Sequence, residues 1–331
     1  MPIRVKHLKE QILLFSNFQE AFLRAARGKN AERKVVLFRE DLDETLLKII
    51  SELREGTFRF GNYHFFTVYD PKKRVICAAS FPERVVFHAM MRICHPFFDG
   101  YQIPESFASR IGKGTYKALE RAQKYAKKYQ YFAKLDVRKY FDSINHEILF
   151  FQLKRMFNDG FLLRCFRQII DSYSVTENKG LPIGNLTSQY FANHYLTYGD
   201  RFLKHQAKAP AIVRYMDDTL VFDNDHQHLL ETVRRYEDFL TMTLDLQLHT
   251  PIINRTCRGV PFLGYVVYGD RLRLNQRSRS RFRAKASQLK YAFDFSLIPE
   301  KDYALRMQTL EAFIDKAEVK SFKCSLKGKC L

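Results

Sequence analysis

The chain has no tryptophan, few glycines and prolines (14 and 10 of 331 residues), and no apolar run near the length of a membrane span. The last absence excludes a bundle of membrane helices, and no membrane partner is expected. No internal repeat, low-complexity tract or Pro/Ser-rich linker breaks the chain, which removes solenoids and disordered tails from consideration. The six cysteines (Cys77, Cys94, Cys165, Cys257, Cys324 and Cys330) form no CxxC pair and no Cys/His cluster at zinc spacing. The opening stretch MPIRVKHLKEQILLF has too short an apolar core and no small-residue cleavage site for a secretory signal. A cytoplasmic protein with reduced thiols is the expectation. Acid is also scarce: 36 Asp and Glu stand against 55 Lys and Arg, a net charge of +19. A field of that sign and size favours a polyanionic partner, nucleic acid before an anionic membrane.

What is present is core-forming material. Hydrophobic residues make up 46% and aromatics 15%, with 30 phenylalanines, so a folded chain of two or three lobes is expected rather than disorder. Helical spacing covers residues 7–27 and 40–55, the second with Leu42, Leu46, Leu47, Ile50 and Leu53 on one stripe and Gly56 as its stop. NYHFFTVYDPKKRVICAAS reads as two strands around a basic turn, Asp70 to Lys73. Helices follow in FPERVVFHAMMRICHPFF, opened by Pro82, and in GKGTYKALERAQKYAKKY. YFAKLDV is a strand and INHEILFFQLKRMF a helix capped by Asn145. GLPIGNLTSQYFANHYLTYGDRFLKHQ is a Gly/Pro loop running into a helix. APAIVRYMDDTLVFDN is a hairpin with an acidic tip, and DHQHLLETVRRYEDFLTMTLDL a helix. GVPFLGYVVYGDRLRLN is a second hairpin, turning at Gly269-Asp270. From Gln276 the chain is helical and basic, and residues 271–290 carry eight Arg or Lys and no acid. Helices and strands mix without βαβα alternation, so the class is α+β.

Asp217 and Asp218 sit side by side in an apolar stretch, where adjacent carboxylates repel and burial of either is costly. A strand has no structural need of them; a bound cation would resolve the conflict. A third carboxylate, Asp136, ends the apolar strand of FAKLDV. Carboxylates from separate strand ends are what two-metal phosphoryl transfer requires. Mg2+ suits such a site because it takes few protein ligands and leaves positions for substrate phosphates.

LDVRKYFDSI, GLPIGNLTSQ, RYMDD and FLGY, in that order and at these intervals, resemble a reverse transcriptase, from about Arg74 to Tyr265. The resemblance implies a right-hand polymerase fold, templated DNA synthesis and two Mg2+ ions, with Mn2+ able to substitute. By motif, Asp136 and Asp217 resemble the direct metal ligands, Asp218 the third carboxylate, and Val137 the donor of a backbone carbonyl. Phe141 falls where the family keeps an aromatic gate, and a flat ring under the sugar would clash with a 2′-hydroxyl. Arg74, then Lys73 or Lys72, resemble the triphosphate clamp, as Arg suits bidentate phosphate contacts. Arg110 and Lys113 match a template- and nucleotide-facing segment. Leu263, Gly264 and Tyr265 resemble the primer grip. The basic helix carrying Arg277, Arg279, Arg281, Arg283 and Lys285 would be a thumb tracking duplex phosphates. The implied division is 1–130 for N-terminal helices and fingers, 131–268 for palm (145–185 joining fingers and palm), and 269–331 for thumb.

The sequence departs from the ordinary family in two places. Where most members have Gln-Gly and then Ser-Pro, this chain has Ile183-Gly184 and Ser188-Gln189. That pattern resembles reverse transcriptases of diversity-generating retroelements, cytoplasmic enzymes encoded by bacteria or phage, which copy a template RNA with errors opposite adenines. Ile183, Gly184 and Gln189 are therefore nucleotide-site candidates. The subgroup also implies a small, basic, helical accessory oligomer beside template RNA, cDNA duplex and dNTPs. Second, no Lys follows Asp245 where the family often has one to protonate pyrophosphate; His249 is the nearest candidate acid. A retron or intron-type enzyme without mutagenic bias is the rival reading. A silent RNA-binding scaffold is another, and it has no need of Asp136, Phe141, Asp217 and Asp218.

Overall fold

A computed structural model of the chain describes residues 4–69 and 74–314. In chain order its elements are α1 (Lys9–Ile12), α2 (Phe15–Ala26), α3 (Arg33–Glu40), α4 (Leu42–Glu55), β1 (Tyr63–Val68), β2 (Arg74–Ala79), α5 (Phe81–Tyr101), α6 (Thr115–Lys128), β3 (Tyr131–Asp136), α7 (Tyr140–Ser143), α8 (His146–Met156), α9 (Gly160–Asp171) and α10 (Leu186–Arg201). A π-helical turn (Phe202–Gln206) follows, then β4 (Ala211–Tyr215), β5 (Asp218–Asp223), α11 (His226–Leu244), β6 (Ile252–Arg255), β7 (Val260–Phe262), β8 (Tyr265–Val267), β9 (Leu272–Leu274), α12 (Gln276–Asp294) and α13 (Glu300–Ile314). Every pair of named strands is antiparallel, in separate sheets ordered β1-β2, β4-β5-β3-β6 and β7-β8-β9. The α+β expectation is met.

The chain divides into two compact units, each assembled from separate stretches: 1–104, 137–202 and 236–248 form one, and 105–136, 203–235 and 249–331 the other. In the first unit α5 lies against α2 and α10. Its start is fixed by a capping box between Ser80 and Glu83, with Pro82 in the first turn, where a missing N–H costs nothing. Phe98, Phe157, Phe166 and Phe191 meet at ring separations of 5.5 Å (98 to 157), 5.7 Å (157 to 166) and 5.1 Å (166 to 191). Rings at those spacings add about 0.5–1.5 kcal/mol per pair beyond their buried area. Asn145 caps α8 as expected, accepting from the N–H groups of Glu147 and Ile148. Gly56 ends α4 in the left-handed conformation.

In the second unit β3 lies between β5 and β6, and the sheet packs on α6 through Phe132, Val213, Leu220 and Phe222 against Ala118, Leu119 and Ala122. Val260, Phe262, Tyr265 and Val267 of the three-stranded meander and Phe282 of α12 join the same core. Full burial of each large side chain contributes about 1.5–3 kcal/mol.

Three local expectations need correction. Leu47 is 56% exposed, while Ile49 is buried with Leu46, Ile50 and Leu53, because the i, i+3, i+4, i+7 stripe leaves Leu47 about 100° off it. The 260–274 segment is two hairpins, not one: Leu263 and Gly264 turn between β7 and β8 at φ +48° and +86°, before the turn near Gly269. Two left-handed residues in a row suit a two-residue hairpin loop, but a leucine at the first of them gives no sequence signal. The helix expected to run from α10 to Gln206 instead changes to the π-helical turn at Phe202. The basic turn at Asp70–Lys73 and the tail SFKCSLKGKCL lie outside the described residues.

Candidate active site

The acidic tip is built by a hairpin and one neighbouring strand. β4 and β5 close with Tyr215 opposite Asp218, leaving Met216 and Asp217 as a two-residue turn. Met216 takes φ +55°, the left-handed value that a tight hairpin needs at this position. In a bulky residue that conformation costs of order 1–3 kcal/mol, so surrounding structure has to hold it. Arg214 does so: its side chain is fully buried, and its Nη1 donates to the Met216 carbonyl at 3.0 Å. The Arg214 backbone is itself pinned, donating to Glu105 O and accepting from Phe107 N at 2.9 Å each.

On the other side of β5, Asp136 is the direct register partner of Asp218. Opposed residues on antiparallel strands have Cβ atoms about 4.5–5.5 Å apart, so the two carboxylates leave the backbone as neighbours. Burial pushes the Asp218 carboxyl up to about 6; Lys134 pulls the other way, and Asp136 and Asp217 add to the rise. Lys134 lies two residues before Asp136 on β3, hence on the same face. Its Nζ stands 3.2 Å from Asp218 Oδ2. The other oxygen, Asp218 Oδ1, is buried with no hydrogen-bond partner among the described residues. A buried carboxylate oxygen without a donor is costly, and a cation would relieve it. Among the described residues no three His, Cys, Asp or Glu side chains are already gathered into a cage. The oxygen donors of Asp136 and Asp218, paired in register, are of the kind a hard divalent cation takes.

His249 donates its backbone N–H to Asp136 O at 2.8 Å, and its side chain is exposed. Arg110 and Lys113 both donate to Ser106 O, at 3.2 and 3.1 Å, and Lys113 also lies over the Phe107 ring. The Tyr265 ring is buried in the core, whereas Leu263 and Gly264 are half-exposed. On α12, Arg277, Arg279, Arg283 and Lys285 are exposed and Arg281 is half-buried.

The remaining candidates belong to the first unit. Val137, next in the chain after Asp136, is buried and bridges to Leu248. The loop carrying Ile183 docks along β2: Cys77 N donates to Ile183 O at 2.8 Å, and Ala79 N to Asn185 Oδ1 at 3.1 Å. Gly184 has φ +118°, and a Cβ there would lie 2.9 Å from Ile76 Cγ2, so only glycine fits. The same loop is tied to Phe141, whose carbonyl accepts from Leu181 N at 2.8 Å. Arg74, exposed at the start of β2, thus shares one assembly with Phe141, Ile183 and Gly184. Gln189 is half-buried in the first turn of α10. Lys72 and Lys73 lie outside the described residues.

Lys134 and Arg214 were not singled out from the sequence. Lys134 reads as an ordinary polar step of an alternating strand, and Arg214 sits among apolar residues with nothing to mark its partner.

Comparison with known proteins supplies the frame. Residues 70–267 match the family described as "Reverse transcriptase (RNA-dependent DNA polymerase)". A COX1/OXI3 intron 1 protein of Saccharomyces cerevisiae is 26% identical over 168 residues, covering 48% of this chain and 20% of that protein. A 91 kDa protein in a cob intron of Schizosaccharomyces pombe is 24% identical over 166 residues, covering 48% and 21%. The matched region therefore spans about a fifth of these relatives. Among solved structures, apo telomerase from Candida tropicalis superposes with TM-score 0.52 at 12% identity, over 75% of this chain and 56% of that one. Telomerase from Candida albicans with a fragment of telomeric RNA gives 0.50 at 11%, over 70% and 51%. These likenesses bear on the fold, which is consistent with a right-hand polymerase.

Proposed function

The chain belongs to the reverse transcriptase family, and from that premise we propose that it is an RNA-directed DNA polymerase that extends a primer by nucleotidyl transfer at Asp136, Asp217 and Asp218. The observation that carries this is the register of Asp136 against Asp218, with the buried, unpartnered Asp218 Oδ1 between strand end and turn. Two Mg2+ ions, replaceable by Mn2+, would there lower the pKa of the primer 3′-hydroxyl and neutralise triphosphate and pyrophosphate. Asp136 and Asp217 would hold the cations, with Asp218 as the third carboxylate and the Val137 carbonyl as a further donor. Phe141 packs under the sugar and rejects ribonucleotides. Arg74 and Lys73 hold the triphosphate, Arg110 lies beside the nucleotide, and Ile183, Gly184 and Gln189 border the base. Leu263, Gly264 and α12 carry the primer and duplex backbone. His249 protonates the leaving group. Fingers, palm and thumb correspond to 1–130, 131–268 and 269–331.

The finer reading is an enzyme of the diversity-generating type, error-prone at template adenines and working with a small basic helical accessory oligomer. Ile183 in place of Gln and Gln189 in place of Pro support it. The likeness to two intron proteins favours a second reading, a faithful intron-type enzyme. Primer extension on an RNA template with dNTPs and Mg2+, followed by sequencing, tests both. Errors concentrated opposite adenines support the first reading, and evenly faithful cDNA the second. Asp217→Asn should reduce extension roughly a thousandfold while RNA binding is kept, since the metal contribution is several kcal/mol. Extension that survives this change overturns the catalytic reading.

A further inference from the structure

We propose that Lys134 is a built-in counter-ion that weakens cation binding to the empty carboxylate site, so that the metal loads together with the nucleotide. This rests on Asp136, Asp217 and Asp218 being the metal-holding group. Strand alternation puts Lys134 and Asp136 on one face of β3, and the register of β3 with β5 brings Asp218 to that face as well. The Lys134 Nζ to Asp218 Oδ2 distance is 3.2 Å, with only 22% and 20% of the two side chains exposed. A pair this sheltered is weakly screened, so the ammonium offsets the Asp218 charge at all ordinary salt concentrations.

A divalent cation entering the bare site therefore meets one net negative charge fewer than it would without Lys134. It must share Asp218 with an ammonium that occupies one oxygen. An incoming triphosphate brings several negative charges of its own and reverses that balance. Removing Lys134 should make the bare site a better cation trap, and make metal uptake less dependent on nucleotide.

The test is Mn2+ binding to the full chain, followed by the loss of the free-ion resonance signal, with and without a dNTP. Lys134→Met keeps the stem and removes the charge; Lys134→Arg keeps the charge. Without nucleotide, Lys134→Met should bind Mn2+ about tenfold more tightly than wild type, and Lys134→Arg like wild type. The gain in affinity on adding dNTP should be larger in wild type than in Lys134→Met. A folded Lys134→Met with wild-type Mn2+ affinity overturns the inference. Should Lys134→Met fold only in Mn2+, the cation has replaced the ammonium and the inference stands; failure to fold in either condition overturns it. Wild type that takes up no Mn2+ even with dNTP, or Asp217→Asn that takes it up equally, overturns the metal-site reading itself and this inference with it.

Discussion

The guanidinium of Arg214 is buried beneath the acidic turn and donates to the carbonyl of Met216, the residue whose left-handed backbone aims Asp217 and Asp218. The turn is thus held by a charge-assisted hydrogen bond worth about 1.5–3 kcal/mol. Arg214→Met should cut kcat about tenfold or more, leave the KM for dNTP within a few-fold, and lower Tm. Steady-state extension kinetics beside a melting curve check it; unchanged kcat in a folded variant would show that the turn holds itself.

Gly184 offers a second test, on stability. Its φ of +118° and the 2.9 Å approach of a Cβ to Ile76 leave no room for a side chain. Gly184→Ala should cost about 1–3 kcal/mol and loosen the loop from β2. Denaturant unfolding measures the loss. Relieving the clash with Ile76→Ala should recover only part of it, because the backbone strain stays.

Ile183 tests the error spectrum. Its backbone is fixed by Cys77, so a change of side chain leaves the loop in place. A glutamine there could hydrogen-bond the incoming nucleotide, and one such contact is worth about 1 kcal/mol, several-fold in discrimination. Sequenced products of Ile183→Gln should show fewer errors opposite adenine; an identical spectrum would exonerate the position.

Acid should unfold the first unit from within. Burial, helped by the charges of Arg84 and Arg24, pushes His88 down to about 4. Burial, with Arg201 adding, pushes His194 down to about 3. Both folded values lie below the unfolded value near 6.5. Above that value both states are neutral and the two histidines contribute no pH dependence. As pH falls below about 6.5 the unfolded chain takes up protons that the folded chain refuses, so stability drops until pH passes the folded values. Melting temperatures between pH 7 and pH 4 should fall, and less steeply in His194→Phe. Parallel slopes would remove His194 from the account.

The legible and illegible parts of this chain divide by the range of the physics. Capping at Asn145, the stop at Gly56 and the two strands meeting at Met216-Asp217 are decided by residues close in sequence, and the structure keeps all three. The site's pairing across strands is not local. Asp136 was marked by ending an apolar run, but its alignment with Asp218 depends on register, which only packing of both sheet faces sets. Lys134 looked like the ordinary polar step of an alternating strand until Asp218 stood beside it. The short α3, with only Val35 and Phe38 buried, carries too weak a stripe to read, and the edge strand β6 is only four residues long.

The division of each unit into separate stretches has a consequence for how the protein is made. The first unit contains α1 but is closed by residues 236–248, where Leu240 and Leu244 are buried and Leu244 O accepts from the Tyr195 hydroxyl. Likewise β3 leaves the ribosome long before β5, the strand that carries Asp218 to it. The first unit cannot complete its core until Leu244 has been synthesised, nor the second until Phe282 has. The nascent chain must therefore carry the apolar flanks of α5, α10 and β3 unsatisfied until those residues emerge, a period in which exposed core surface invites aggregation or chaperone binding. The carboxylate site is assembled late, and a ribosome-released fragment ending before residue 218 would carry Asp136 without either of its acidic partners.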